Sequence, residues 1–455
     1  MQSVWLHCWY AKRLVGKGSG REMKEVILHI GMHKTGTTSI QDSLYGIDSN
    51  GFRTIRFAEK NHSIPIYTIF HENKLNYPIW KNQGYNESQI IEKKAAYEKI
   101  LEEEISDESV DCFILSGEDM SNLTENEQIN LCEFFKERNL KVKVIYVVRE
   151  PFSFAASANQ QNAIGGTRAL AKVNPGYQRR ISGFIKGCGR ENISIFKYEQ
   201  LIQDGLIKTF SEIIGVTLTE KPRRNESVTA EALALIYALN NIKTSTLGSE
   251  INFNARVYIV NAIRTFFSQT NGFNKLNLKK FDIVHEDVCD DLVWLEESFG
   301  ISYQIPVKAE QQELVYEESP STEILFEFFG NYGLNYQASM PLADNVENLY
   351  TKFLRFEEIH SQVQNLAKQK KLLDALNLSK KALELGDERH SAYRQASNIS
   401  HRLKELDDAI TFAKQAVNAE DNNDTTRANH KEHLVNLLRI TGQLDDALTA
   451  VDEDE

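Results

Sequence analysis

Hydrophobic residues in the first two thirds of the chain gather in short β-branched runs, separated by stretches whose apolar positions recur at helical spacing. The clearest runs are EVILHIG at 25–31, DCFILSG at 111–117, VKVIYVVR at 142–149 and ISIFKY at 193–198. All but the last are nearly continuous in apolar residues, as strands buried on both faces must be. Such strands alternating with helices predict an α/β fold, a parallel sheet flanked by helices, over residues 23–305. Residues 1–22 read as an N-terminal extension ahead of the first strand.

Beyond Pro341 the pattern changes: strand-like runs cease, and Leu, Ala, Lys, Glu and Asp recur at helical spacing. Residues 306–345 then read as a linker and 346–455 as an all-α domain. Within it KLLDALNLSKKALELGD (371–387) parallels ELDDAITFAKQAVNAED (405–421) and QLDDALTAVDEDE (443–455). Ala375 and Ala409 are 34 positions apart, and Ala409 and Ala447 are 38 apart, the polar DNND at 421–424 taking up the difference. This period resembles the tetratricopeptide repeat, whose helix pairs recur at about 34 residues. The resemblance implies that Ala375, Ala382, Ala409 and Ala416 lie at close helix contacts, and that the stacked pairs offer a surface for a protein or peptide partner.

Composition narrows the class. A chain of 455 residues with 41% hydrophobic content can bury a full core. Its formal net charge of −12 argues against a nucleic-acid binder, which needs a concentrated basic surface. An anionic ligand must therefore be caught locally. The five cysteines are scattered with no Cys-x-x-Cys spacing, so neither a disulfide framework nor a zinc site is expected, and no carboxylate cluster has metal-ligand spacing. No run of eighteen apolar residues or signal-peptide pattern occurs, which predicts a cytoplasmic protein without a membrane span.

The first candidate chemistry lies in HIGMHKTGTTSIQ at 29–41, between a strand and a helix. Gly31 and Gly36 have the glycine spacing of a triphosphate-binding loop, but Thr37 stands where lysine belongs and Lys34 precedes Gly36 by two positions. Backbone amides at the helix start can still cradle a phosphate. The hydroxyls of Thr37, Thr38 and Ser39 add donors. A second segment, VIYVVREPFSFAAS, puts Arg149 at a strand end and Ser157 eight positions on. An arginine fork binds phosphate bidentately, and a serine adds one hydrogen bond.

The two segments together resemble the sulfotransferases that use 3′-phosphoadenosine 5′-phosphosulfate (PAPS) as cofactor and sulfuryl donor. In that resemblance HKTGTT matches the 5′-phosphosulfate loop, so that Lys34 contacts the bridging oxygen of the leaving phosphate and Thr35, Gly36, Thr37, Thr38 and Ser39 hold the phosphosulfate. Arg149 and Ser157 match the residues on the 3′-phosphate. KYEQLIQDG, with Tyr198, and RRNES, with Arg223 and Arg224, match a Tyr-Glu-x-Leu segment and a basic segment that closes over the cofactor. The implied fold is the P-loop-like sheet of that family, and the implied reaction is in-line transfer of the sulfuryl group to a hydroxyl, less readily an amine, without a metal.

Such a transfer needs a general base on the acceptor. Two residues are candidates, His62 in a loop and Glu118 at a predicted strand tip; His62 is preferred, because an unperturbed imidazole is basic near neutral pH, with Glu118 then its orienting or acceptor-binding partner. His33 is placed to line the acceptor side without being the base. The acceptor is expected to be a carbohydrate or another glycan, lipid or metabolite. Two other functions stay open: a P-loop small-molecule kinase, against which Thr37 argues, and a non-catalytic interaction protein in which the repeats do the binding.

Overall fold

A computed structural model describes residues 23–221, 228–242, 252–269, 283–304, 320–419, 424–443 and 446. It is an α/β chain with a helical C-terminal region. Six strands, β1 (Glu25–His29), β2 (Asp48–Ser49), β3 (Phe52–Thr54), β4 (Cys112–Ser116), β5 (Lys141–Val148) and β6 (Ile193–Lys197), form one sheet in the order β2-β3-β4-β1-β5-β6. Only β2 and β3 pair antiparallel; the rest are parallel, with Ile27 of β1 beside Ile114 of β4 and Lys143 of β5. The four strands expected from the apolar runs are present, and the two extra ones are too short to leave a pattern.

β1 and β4 are nearly continuous in apolar residues because both faces are covered. Ile27, Ile114 and Ile145 pack on one face with Ile40, Leu44, Phe210 and Ile214 from flanking helices. Val26, Leu28, Phe113 and Leu115 alternate to the opposite face and are equally buried. Their C-terminal ends therefore open together at one edge, where β1, β4 and β5 each run into a loop.

The chain divides into two compact units: 1–159, 171–226 and 278–314 make the first, and 160–170, 227–277 and 315–455 the second. This departs from the linear division expected at 305. Within the second unit the helices Ala230–Asn240 and Phe253–Gln269 pack on the long helix Leu342–Lys368. The buried amide of Asn240 donates to the carbonyls of Ala163 and Thr167, both at 2.8 Å, which ties 160–170 to the same unit. Nor is 320–330 a linker: Thr322–Gly330 is a helix whose Phe328 and Phe329 are buried, with Phe328 packed against Phe266 and Phe267.

Helices Leu372–Glu384, His390–Leu403, Leu406–Asn418 and Asp424–Ile440 follow, each packing on the one before. Lys370, Lys404 and Gly442, the turn residues, all take positive φ, at intervals of 34 and 38 positions. Ala375, Ala382, Ala409 and Ala416 are all buried between helices. Ala447 lies outside the described residues. Among the described residues no helix is long and apolar enough to cross a membrane.

Candidate functional site

The loop after β1 is laced to β5 by backbone bonds, Ile30 N–H to Ile145 O at 3.0 Å, Met32 N–H to Val147 O at 2.8 Å and Val147 N–H to Gly31 O at 2.8 Å. Its course requires two glycines. Gly31 has φ +72°, and a Cβ there would lie 2.9 Å from Cβ of Glu118; Gly36 has φ +74°, and a Cβ there would lie 2.3 Å from Cδ2 of Leu206. Lys34 also takes positive φ, 65°, a conformation that costs a non-glycine residue about 1 kcal/mol or more. Gly36 starts the helix Thr37–Leu44 without a side-chain cap. The amides of the first turn therefore face outward with no intrahelical acceptor, which makes an anion-binding helix start.

The hydroxyls expected to add donors are not equivalent. Thr35 is buried and donates to Met32 O at 2.6 Å, so its side chain builds the loop and only its amide remains for a ligand. Thr37 is also buried, against Gly31, whereas Thr38 is exposed and Ser39 half-buried.

Arg149, at the end of β5, reaches across this loop. Its Nη1 donates to Lys34 O at 2.7 Å, its Nε to Ser153 Oγ at 2.8 Å, and its guanidinium lies 5.1 Å from the Tyr198 ring centre. Burial works against that charge, while Tyr198, Glu199 and Glu150 favour it. The serine bonded to Arg149 is thus Ser153; Ser157 is half-buried one turn farther along the helix Pro151–Ile164. The Glu150 carboxylate accepts from the amides of Phe152 and Ser153 at the helix start.

Three supporting residues escaped the sequence reading. Tyr177 donates to Arg149 O at 2.5 Å; Glu199 accepts from the Glu150 amide at 2.9 Å and from the Tyr303 hydroxyl at 3.1 Å. Glu199 sits in the YEQL segment beside Tyr198, but Tyr177 and Tyr303 carry no local signal, since their partners are distant in sequence.

Glu118, just past β4, is half-buried and accepts from Nε2 of Gln41 at 2.7 Å. Burial lowers the Lys34 pKa, Glu118 raises it and Arg149 lowers it, so the ammonium stands within electrostatic reach of both a carboxylate and a guanidinium. Phosphate arriving at the helix start would meet two cations and a row of amides.

His62 does not belong to this opening. It is 1% exposed, packs edge-on to Phe57, and its Nδ1 accepts from the Ser116 amide at 3.1 Å. Burial pushes its pKa down to about 4. A base so enclosed, with one nitrogen already engaged, cannot meet an acceptor hydroxyl, and the role expected for it is withdrawn. His33 occupies the accessible position instead: its side chain is 33% exposed, with Nε2 3.0 Å from Oδ1 of Asp119. Arg223 and Arg224 lie outside the described residues. Compared with protein-family models and with curated proteins, the chain matches none.

Proposed function

We propose that the chain is a PAPS-dependent sulfotransferase that moves the sulfuryl group to a hydroxyl acceptor. The observation that carries this reading is the uncapped helix start behind Gly36, with Lys34 two residues ahead of it and within reach of Glu118 and Arg149. A kinase would need its lysine at the position of Thr37, aimed at terminal phosphates. In the sulfotransferase reading the amides of 36–39 hold the 5′-phosphosulfate, and Lys34 neutralises charge building on the bridging oxygen as the S–O bond breaks. Arg149, with Ser153 beside it and Ser157 one turn farther along the helix, takes the 3′-phosphate, and Tyr198 borders it. Glu118, fixed by Gln41, orients the acceptor hydroxyl. The sheet and its loop belong, on this reading, to the sulfotransferase fold, and the evenly spaced helix pairs of the second unit to the tetratricopeptide-like class, recruiting the partner or substrate that carries the hydroxyl.

The test is ligand-induced stabilisation of the intact chain. Adenosine 3′,5′-bisphosphate at about a hundred times its Kd stabilises a native state by about 2.7 kcal/mol. It should raise the melting temperature well beyond ATP with magnesium. Arg149→Ala should cost about 1.5–3 kcal/mol in bisphosphate binding and leave adenosine 5′-phosphate binding far less changed. Equal or greater stabilisation by ATP with magnesium would defeat the reading.

A further inference from the structure

We infer that His33, held by Asp119, is the general base that takes the proton of the acceptor hydroxyl; this rests on the sulfotransferase reading. The inference begins with register. Consecutive residues of the loop, His33 and Lys34, meet consecutive residues past β4, Asp119 and Glu118: His33 by a 3.0 Å contact, Lys34 by electrostatic attraction. Gly31 allows this, because its missing Cβ lets the loop lie against Glu118. The base and the group that stabilises the leaving oxygen are thus neighbours on one short loop.

Asp119 is built to orient an imidazole. Its Oδ2 accepts from the Tyr77 hydroxyl at 2.8 Å, its Oδ1 from the Asn122 amide at 3.0 Å, and its own backbone N–H donates to Ser63 Oγ at 2.9 Å. Although burial opposes its charge, the hydrogen bonds from His33, Tyr77 and Asn122 outweigh that and hold the carboxyl below its usual range. An ionised carboxylate only accepts, so Nε2 of His33 carries the hydrogen toward it, and in the neutral ring it is then Nδ1 that holds the lone pair. This is the carboxylate–imidazole logic by which a buried acid fixes the tautomer of a catalytic histidine. The charged group in contact with the ring is Asp119, with Tyr77 and Tyr67 in turn beside Asp119; Lys34 and Glu118 are the sequence neighbours of His33 and Asp119.

The balance of the step is simple. Nδ1 of His33 takes the hydroxyl proton while the acceptor oxygen bonds to sulfur. The S–O bond to the 5′-phosphate breaks, and its electron pair stays on the phosphate oxygen beside Lys34. The products are the sulfate ester, adenosine 3′,5′-bisphosphate and a proton that His33 returns to solvent.

The experiment follows release of the bisphosphate from PAPS with water as acceptor, in the full chain, between pH 5 and 9, with bisphosphate binding measured separately by calorimetry. Wild type should release it faster than buffer alone. His33→Gln keeps an amide donor for Asp119 but no basic nitrogen, and should lose roughly 10²–10⁴-fold in rate with unchanged bisphosphate binding. His33→Ala should regain activity with added imidazole, and Asp119→Asn should lose at least about tenfold while binding normally. Release by His33→Gln at the wild-type rate would overturn the inference. So would wild type that binds the bisphosphate yet releases none faster than buffer. Failure of wild type to bind the bisphosphate at all would sink the sulfotransferase reading beneath it.

Discussion

If His62 is a structural residue, its signature is acid sensitivity of the fold rather than of turnover. In the folded chain its pKa is pushed down to about 4 by burial, against about 6.5 in an unfolded chain. Above pH 6.5 both states are neutral and the burial of the ring is tolerated in full. As pH falls below 6.5 the unfolded chain takes up a proton that the folded chain refuses, and stability drops by about 1.4 kcal/mol per unit until the folded pKa is reached. Between pH 7 and pH 5 that amounts to about 2 kcal/mol from His62 alone. His29, fully buried and lowered to about 3, adds a loss of the same sign. His62→Asn puts a carbonyl oxygen where Nδ1 accepts from the Ser116 amide and removes the titration. It should cost about 1–3 kcal/mol at pH 7 and flatten the pH dependence by about 2 kcal/mol, read from urea unfolding at pH 7 and pH 5. PAPS turnover by the same variant should stay within a few-fold of wild type. An unaltered pH dependence would refute the burial argument, and a hundredfold loss of turnover at unchanged stability would return His62 to the catalytic role.

Two further outcomes follow from packing. Gly36→Ala should destabilise by about 1–3 kcal/mol more than Gly46→Ala in thermal unfolding, because both have positive φ but only Gly36 would press a Cβ against Leu206 while Gly46 meets nothing within 4 Å; equal losses would show that the loop yields without cost. Deletion of 343–455 should give insoluble protein, because the buried faces of Ala230–Asn240 and Phe253–Gln269 lose the helix Leu342–Lys368 they pack on; a soluble product that still binds adenosine 3′,5′-bisphosphate would mean those helices are held without it.

What could be read from the sequence is what local physics dictates. Strands covered on both faces must be continuously apolar, so β1, β4 and β5 announce themselves, and β6, half-buried at the sheet edge, does so more faintly. The loop is legible because positive φ selects glycine at Gly31 and Gly36, and because a lysine two places early is visible against that spacing. The 34-residue period of the helical region is legible for a similar reason: the turn at Lys370 and Lys404 and the buried Ala375 and Ala409 repeat with it. The unit boundaries were hidden because the second unit is assembled from three separated stretches, and periodicity within a helix does not say which distant helix covers its apolar face.

The histidines show the same limit at the scale of one side chain. His62 stands in a polar-looking stretch, AEKNHSIP, whose only visible property is a titratable ring near a helix start; what encloses it is Phe57 and the Ser116 amide, the latter 54 positions away. His33 looks like a loop residue beside the more conspicuous Lys34, and its meaning comes from Asp119, a residue that the sequence shows only as the neighbour of Glu118. His62 was therefore visible as a candidate base and His33 as a residue lining the acceptor side, but the accessibility of either ring is set by long-range partners that the sequence does not show. The Asp119 carboxylate accepts from the Tyr77 hydroxyl and the Asn122 side-chain amide and lies 3.0 Å from the imidazole next to the lysine, so that on the proposed reading a fixed carboxylate, rather than the ring's own sequence neighbours, sets the position of His33.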